Sequence, residues 1–212
     1  MPPGKSIWLI PGQWFNVHRS FPQSRIHVNQ VRIIAGLWRG KKIHFVDQEG
    51  LRPTADRIRE TLFNWLQGEI TDAVCLDLFA GSGALGIEAA SRGAQEVYCV
   101  ESSAKAAKAI RENLATLADA PVRVIHEDAM SFLQKPRTDL QFDLVFLDPP
   151  FTAGLLEKAC HLLENHHWLS AQAAIYLESA EPLDTLALPE QWQLVKEKKA
   201  GQVNYGLCRR SL

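Results

Sequence analysis

The run Asp148-Pro149-Pro150-Phe151 joins residue types that could act together on an aromatic amine. The lone pair of such an amine is conjugated into its ring, so the nitrogen is a weak nucleophile. Acceptors aimed at its two N–H bonds can rehybridise it and expose the lone pair. Asp148 supplies one acceptor and the Pro149 carbonyl a second, while the two prolines stiffen the turn and fix where that carbonyl points. Phe151 offers a ring face on which a flipped base can stack. No cysteine lies in or beside the motif, which counts against carbon methylation through a covalent thiol adduct. The competing structural reading is a strand that ends in a proline-rich turn.

A second run, Asp77-Leu78-Phe79-Ala80-Gly81-Ser82-Gly83-Ala84-Leu85-Gly86, stands where an apolar strand turns into a helix. Its glycines let the backbone approach a ligand closely and adopt positive φ. Gly81, Gly83 and Gly86 also fit GxGxxG, so an adenosine held here could belong to NAD or to S-adenosylmethionine. Glu101 ends the next strand, where a carboxylate can bind ribose hydroxyls. Two details favour methyl transfer. Asp77 could face a cationic amino-acid moiety, whereas a pyrophosphate would gain nothing from its charge. Asp128 could accept from an adenine amino group, although by itself it reads equally as a helix N-cap. The candidate cofactor residues are Asp77, Phe79, Ala80, Gly81, Ser82, Gly83, Glu101, Ser102, Asp128 and Ala129. Asp148, Pro149 and Phe151 form the candidate catalytic set.

These residues need a scaffold that brings strand ends together. From residue 74 the pattern alternates: strands over 74–79, 96–100, 122–126, 142–147 and 173–177, and helices over 84–91, 104–117 and 155–163. Short apolar strands alternating with helices mean a parallel sheet covered on both faces. The tail reads as a hairpin, 193–198 and 203–209, around Gly201. Upstream, 31–35 and 42–46 read as two short strands, followed by a helix with Thr54 as N-cap and Asp56 in its first turn. Ala55, Ile58, Leu62, Trp65 and Leu66 form the apolar stripe of that helix, leaving Arg57 and Arg59 off it. The fold class expected is α/β: a Rossmann-like class I methyltransferase sheet, seven-stranded and mostly parallel, with an antiparallel C-terminal hairpin and a small N-terminal extension. The divisions are 1–28, a loose arm; 29–70, a basic extension; and 71–212, the catalytic domain.

The chain has 212 residues, 46% of them hydrophobic, which excludes wholesale disorder. No apolar run spans a bilayer or makes a convincing leader, so a cytoplasmic location is expected. The four cysteines form no CxxC pair and read as buried reduced thiols, and the histidines show no metal spacing. The net charge of −1 is unevenly spread. Residues 1–66 carry 10 Lys+Arg against 4 Asp+Glu, residues 67–189 carry 8 against 18, and residues 190–212 carry 5 against 2. A basic section beside an acidic body suggests a polyanion-facing surface, with charge scattered over a solvated surface as the alternative.

The run Val31-Arg-Ile-Ile-Ala-Gly-Leu-Trp-Arg-Gly-Lys-Lys42 and the run Leu51-Arg-Pro-Thr-Ala-Asp-Arg-Ile-Arg-Glu-Thr-Leu-Phe-Asn-Trp-Leu66 resemble the RsmD family. Its members are bacterial 16S rRNA guanine-N2 methyltransferases. The glycine run, Glu101, Asp128 and the Asp148–Phe151 run are similar to its cofactor and catalytic motifs, and Gly201-Gln-Val-Asn-Tyr205 to its closing hairpin. The resemblance implies S-adenosylmethionine as cofactor, no metal, and small-subunit rRNA as substrate, in an assembled or assembling particle. It implies N2-methylguanine as product, the target corresponding to guanine 966 of 16S rRNA. It also places the basic extension near RNA, with Arg32, Arg39, Lys41, Lys42, Arg52, Arg57 and Arg59 as candidate contacts. Residues 1–28 fall outside it. The rival readings are an amine methyltransferase of another RNA or of DNA (adenine N6 or cytosine N4), an NAD-dependent oxidoreductase, and a non-catalytic RNA-binding assembly factor.

Overall fold

The computed structural model describes residues 28–46, 56–135, 140–150 and 154–211. Arg52, Thr54, Ala55 and Phe151 lie outside the described residues, as does the arm up to residue 27.

Strands β1 (Val28–Arg32) and β2 (Lys42–Val46) pair antiparallel as a sheet of their own. Helix α1 (Asp56–Trp65) follows. Then β3 (Val74–Asp77), α2 (Ala84–Ser91), β4 (Glu96–Glu101), α3 (Ala104–Leu114), β5 (Val122–His126), α4 (Ala129–Leu133), β6 (Phe142–Leu147), α5 (Leu155–Asn165) and β7 (Leu169–Ser179) alternate. A short 3-10 turn, Leu183–Thr185, leads to β8 (Trp192–Ala200) and β9 (Val203–Arg210). The main sheet runs β5-β4-β3-β6-β7-β9-β8; the first five strands are parallel and β9 is antiparallel to both of its neighbours. This is the expected α/β architecture.

Each face of the sheet carries an apolar layer. One holds Cys75, Val97, Cys99, Leu144, Phe146, Tyr176 and Tyr205 against α1, α2 and the β1–β2 hairpin. The other holds the alternate residues Leu76, Val100, Val145, Leu147, Ile175 and Leu177 against α4 and α5. Alternation along β-strands produces this sorting.

Strand β3 ends at Asp77 and helix α3 at Leu114, short of the expected 79 and 117, and three further departures have a structural reason. The first strand ends at Arg32 and does not cover 31–35, because the N–H groups of Ile34 and Ala35 donate to the Glu88 carboxylate instead (2.7 and 3.0 Å). Strand β7 begins at Leu169, because a register shift between Phe142 and Leu144 lets Phe142 pair with Leu169. Helix α4 has only 5 residues, too short a stretch for periodicity to reveal.

The β1–β2 hairpin is tied down by polar groups. Buried Glu88 of α2 receives Ile34 and Ala35, and Arg92 at 2.7 Å. The Ser91 hydroxyl donates to Ala35 O at 2.6 Å and accepts from Trp38 N at 3.0 Å. Asn113 of α3 makes a two-way pair with the His44 backbone. At Gly36, φ is +83° and a β-carbon would lie 1.8 Å from Ser91 O, so only glycine fits. Among the described residues no helix is long and apolar enough to cross a membrane.

Candidate active site

The parallel strands present their carboxyl ends at one edge of the sheet. Strand order reverses between β3 and β6, and open α/β sheets bind ligands at such a switch point. Asp77 ends β3, Glu101 ends β4, Asp128 follows β5, and Asp148 follows β6. The topology therefore brings to one edge four carboxylates that are far apart in the chain.

Asp77 is only 2% exposed and its Oδ2 accepts from Gly86 N at 2.9 Å. Burial raises its pKa to about 7; the Gly86 bond opposes the rise, and the charges of Asp148 and Glu101 add to it. The expectation that Asp77 faces the ligand is thus corrected. Its carboxylate is packed beneath the glycine turn, in electrostatic contact with Asp148 and Glu101. Gly86 belongs to the same packing: a β-carbon there would lie 2.5 Å from Cys99 Sγ and 3.2 Å from Asp77 Oδ2. The last glycine of the pattern lets helix α2 approach the sheet.

The turn itself is built on positive φ, +53° at Gly81 and +76° at Gly83. Glu101 holds it: Oε2 accepts from Gly81 N at 2.7 Å, and Oε1 accepts from Ser103 N at 2.6 Å. Asp128 fills the N-cap role weighed above, accepting from Ser131 N at 2.9 Å, while it stays exposed. Ser102 is exposed and its carbonyl is 3.1 Å from His126 Nε2; Phe79 is half-buried, and Ala80, Ser82 and Ala129 are buried. Asp148 is half-buried and Pro149 buried.

One functional candidate was missed in the sequence. Leu147 pairs with Leu177, so Asp148 lies beside Glu178 at the end of β7. Glu178 is buried and accepts from the Tyr176 hydroxyl at 2.8 Å. Burial, then the Glu178 charge, holds the Tyr176 hydroxyl protonated well above its usual range. The signal was a carboxylate closing an apolar strand, as Glu101 closes β4.

Of the candidate RNA contacts, Arg32, Arg39, Lys41, Lys42 and Arg57 are exposed. Lys41 Nζ also donates to Thr116 O at 3.2 Å. Arg59 is corrected. It is 1% exposed, it binds Asp56 Oδ1 at 2.7 Å and Arg32 O at 2.8 Å, and it stands 3.9 Å from Glu88. It is the internal counter-charge of Glu88, so it does not offer its guanidinium to a phosphate.

All four cysteines are free and buried. Burial pushes the Cys208 thiol up to about 12 and raises the other three well above the normal thiol range. None is a nucleophile. Two cavities, of about 750 Å³ at Glu69, Arg209 and Arg210 and about 270 Å³ at Glu127, Lys135 and Trp168, contain none of the motif residues. Among the described residues no cluster of three His, Cys, Asp or Glu is arranged to hold a metal ion.

The profile of a family described as conserved hypothetical protein 95 matches residues 31–209. The ribosomal RNA small subunit methyltransferase D of Escherichia coli K12 is 50% identical over 181 residues, covering 85% of this chain and 90% of that protein. The chain belongs to the RsmD family. The solved structure of yhhF from Escherichia coli covers 86% of this chain and 99% of its own, at 48% identity and a TM-score of 0.79. A Streptococcus mutans structure, provisionally described as a sam-dependent methyltransferase, shares the fold at 14% identity, covering 89% of this chain and 57% of its own, with a TM-score of 0.67. For an RsmD-family member the acidic strand edge has a direct reading. Both charges that press on Asp77 are carboxylates, Asp148 and Glu101, so a ligand bearing a sulfonium and an ammonium fits where a pyrophosphate would be repelled.

Proposed function

We propose that this chain transfers the methyl group of S-adenosylmethionine to the exocyclic N2 amine of a guanine in small-subunit rRNA. The observation that carries the reading is the position of Asp148. It follows the strand that adjoins β3 at the switch point, beside the glycine turn and within electrostatic reach of Asp77.

When bound, S-adenosylmethionine supplies an electrophilic methyl group on a cationic sulfur. Glu101 accepts from the ribose hydroxyls through the lone pairs left by Gly81 and Ser103. Asp128 accepts from the adenine amine with the capacity left by its cap. Asp148 and the Pro149 carbonyl orient the acceptor amine, so its lone pair points along the line of transfer. Methyl transfer to that nitrogen would place positive charge on it, which the Asp148 carboxylate would stabilise where it appears. The nitrogen then sheds one proton, with Asp148 the nearest base. Phe151 stacks the base.

Glu178 beside Asp148 supports guanine as the target base. Guanine presents N1–H next to its N2 amine, two donors for two neighbouring carboxylates, whereas adenine presents an acceptor at N1. A ribosomal particle as substrate, the equivalent of guanine 966 as the target and a cytoplasmic setting belong to the same reading. Tritiated-methyl transfer onto small subunits lacking the modification, followed by nucleoside analysis, tests it. Label in N2-methylguanosine supports it; label in another nucleoside, or none, overturns it.

A further inference from the structure

The basic C-terminal stretch has no place in the chemistry above. Its lysines sit on β8, and the pairing register shows where. Glu178 pairs with Tyr205 and Tyr205 with Lys198, and Asp148 lies beside Glu178. Asp148, Glu178, Tyr205 and Lys198 thus form one row across β6, β7, β9 and β8, at the edge where the carboxylates meet. With strands about 4.8 Å apart, Lys198 stands roughly 14 Å from Asp148.

The side chain of Lys198 is also on the right face. Its ammonium lies 5.9 Å from the centroid of Trp65, whose ring stacks on Tyr205 at 5.6 Å. Lys196 pairs with Leu207, which lies in the same apolar layer as Tyr205, whereas Lys199 leaves the opposite face of β8, two residues before Gly201 at the tip of the hairpin. All three lysines are exposed, and no carboxylate among the described residues pairs with them. The β6–β7 end of the row is acidic. It suits an amine and a sulfonium and repels phosphates, so the backbone on either side of a target nucleotide must be held from outside it.

We propose that the β8–β9 hairpin is a second RNA-binding element, and that Lys196, Lys198 and Lys199 grip the phosphates flanking the target nucleotide. This rests on the reading of RNA as substrate. The Trp65 ring, stacked on Tyr205, lies within cation–π range of the Lys198 ammonium. On this view the strand passes the site between the β1–β2 hairpin and the β8–β9 hairpin.

The test replaces the three lysines together by Gln (K196Q, K198Q and K199Q), which keeps the edge of β8 polar, and measures methyl transfer to the wild-type protein's RNA substrate against salt. The slope of log affinity on log salt should fall by about 0.7 per lysine, so by roughly 2 for the triple variant. KM for RNA should rise more than kcat falls, and cofactor affinity should stay unchanged. A triple Arg variant should restore both slope and KM. K158Q, on helix α5 across the sheet, is the control. An unchanged slope in the triple variant overturns the proposal and leaves the lysines as guards against edge-to-edge association. So does an equal drop per charge in K158Q, which would be a net-charge effect. If the wild-type protein methylates no RNA at all, the functional reading fails instead.

Discussion

Glu101 and Gly81 are 20 residues apart in sequence, and the carboxylate of one accepts the N–H of the other at 2.7 Å. The side chain proposed to hold a ribose therefore also holds the glycine turn. Strand β4 and the β3–α2 turn are coupled before any ligand arrives.

Glu101→Ala should consequently weaken cofactor binding through both losses. One hydrogen bond to a charged group is worth about 1.5–3 kcal/mol, so calorimetry with S-adenosylmethionine or its demethylated product should show at least a tenfold loss. Glu101→Gln keeps one acceptor oxygen and should lie between. NAD should not bind the wild-type protein; tight NAD binding without a response to S-adenosylmethionine would reverse the assignment of the site.

Asp77 should make the ligand-free protein less stable as pH rises. Its folded pKa, about 7, lies above the ordinary value of 3.8, so the native state binds the extra proton between these limits. The penalty for burying the charge is absent below about pH 4 and fully present above about pH 7. It is a few kcal/mol, since each pH interval of one is worth about 1.4 kcal/mol. Urea midpoints measured from pH 4 to pH 8 should fall, and Asp77→Asn should flatten the curve. A cationic cofactor favours the ionised form, so its affinity should rise over the same interval.

Asp148→Ala should lower kcat by about 10²–10³-fold, with a smaller effect on binding, because the carboxylate acts most strongly on the positive nitrogen. Asp148→Asn separates charge from hydrogen-bond direction. Phe151→Ala should impair base positioning, and Phe151→Tyr should be mild. Wild-type methylation by Asp148→Ala would show that the chemistry happens elsewhere.

Glu88 anchors the β1–β2 hairpin, and Glu88→Ala should destabilise the protein by about 3–5 kcal/mol by leaving Arg59, Arg92 and two backbone N–H groups without their partner. The loss should appear in thermal melts and as faster amide exchange at Ile34 and Ala35. Unprotected amides in the wild-type protein would show that the hairpin is not docked as described.

The amino-acid sequence alone determined the features that are local. Apolar runs bounded by turn residues placed β5 and β6 at their observed limits, and the largely apolar α2 after its glycine turn. The alternation of strands and helices dictated a parallel sheet, because only crossover helices can connect such strands. The chemical character of Asp148-Pro149-Pro150-Phe151 and of the glycine turn was also legible, since backbone freedom and lone-pair chemistry reside in the residues themselves. What only the tertiary structure decided depends on pairing between distant segments. Helical spacing left Arg59 as a candidate for RNA contact and gave Glu88 no role, and docking of β1–β2 turned them into a buried pair. Asp77 looked ready to meet a ligand until α2 closed over it. Strand register, which no local pattern carries, set Asp148, Glu178, Tyr205 and Lys198 in one row. A shift of one residue in any of these pairings would send the side chains of that strand to the opposite face.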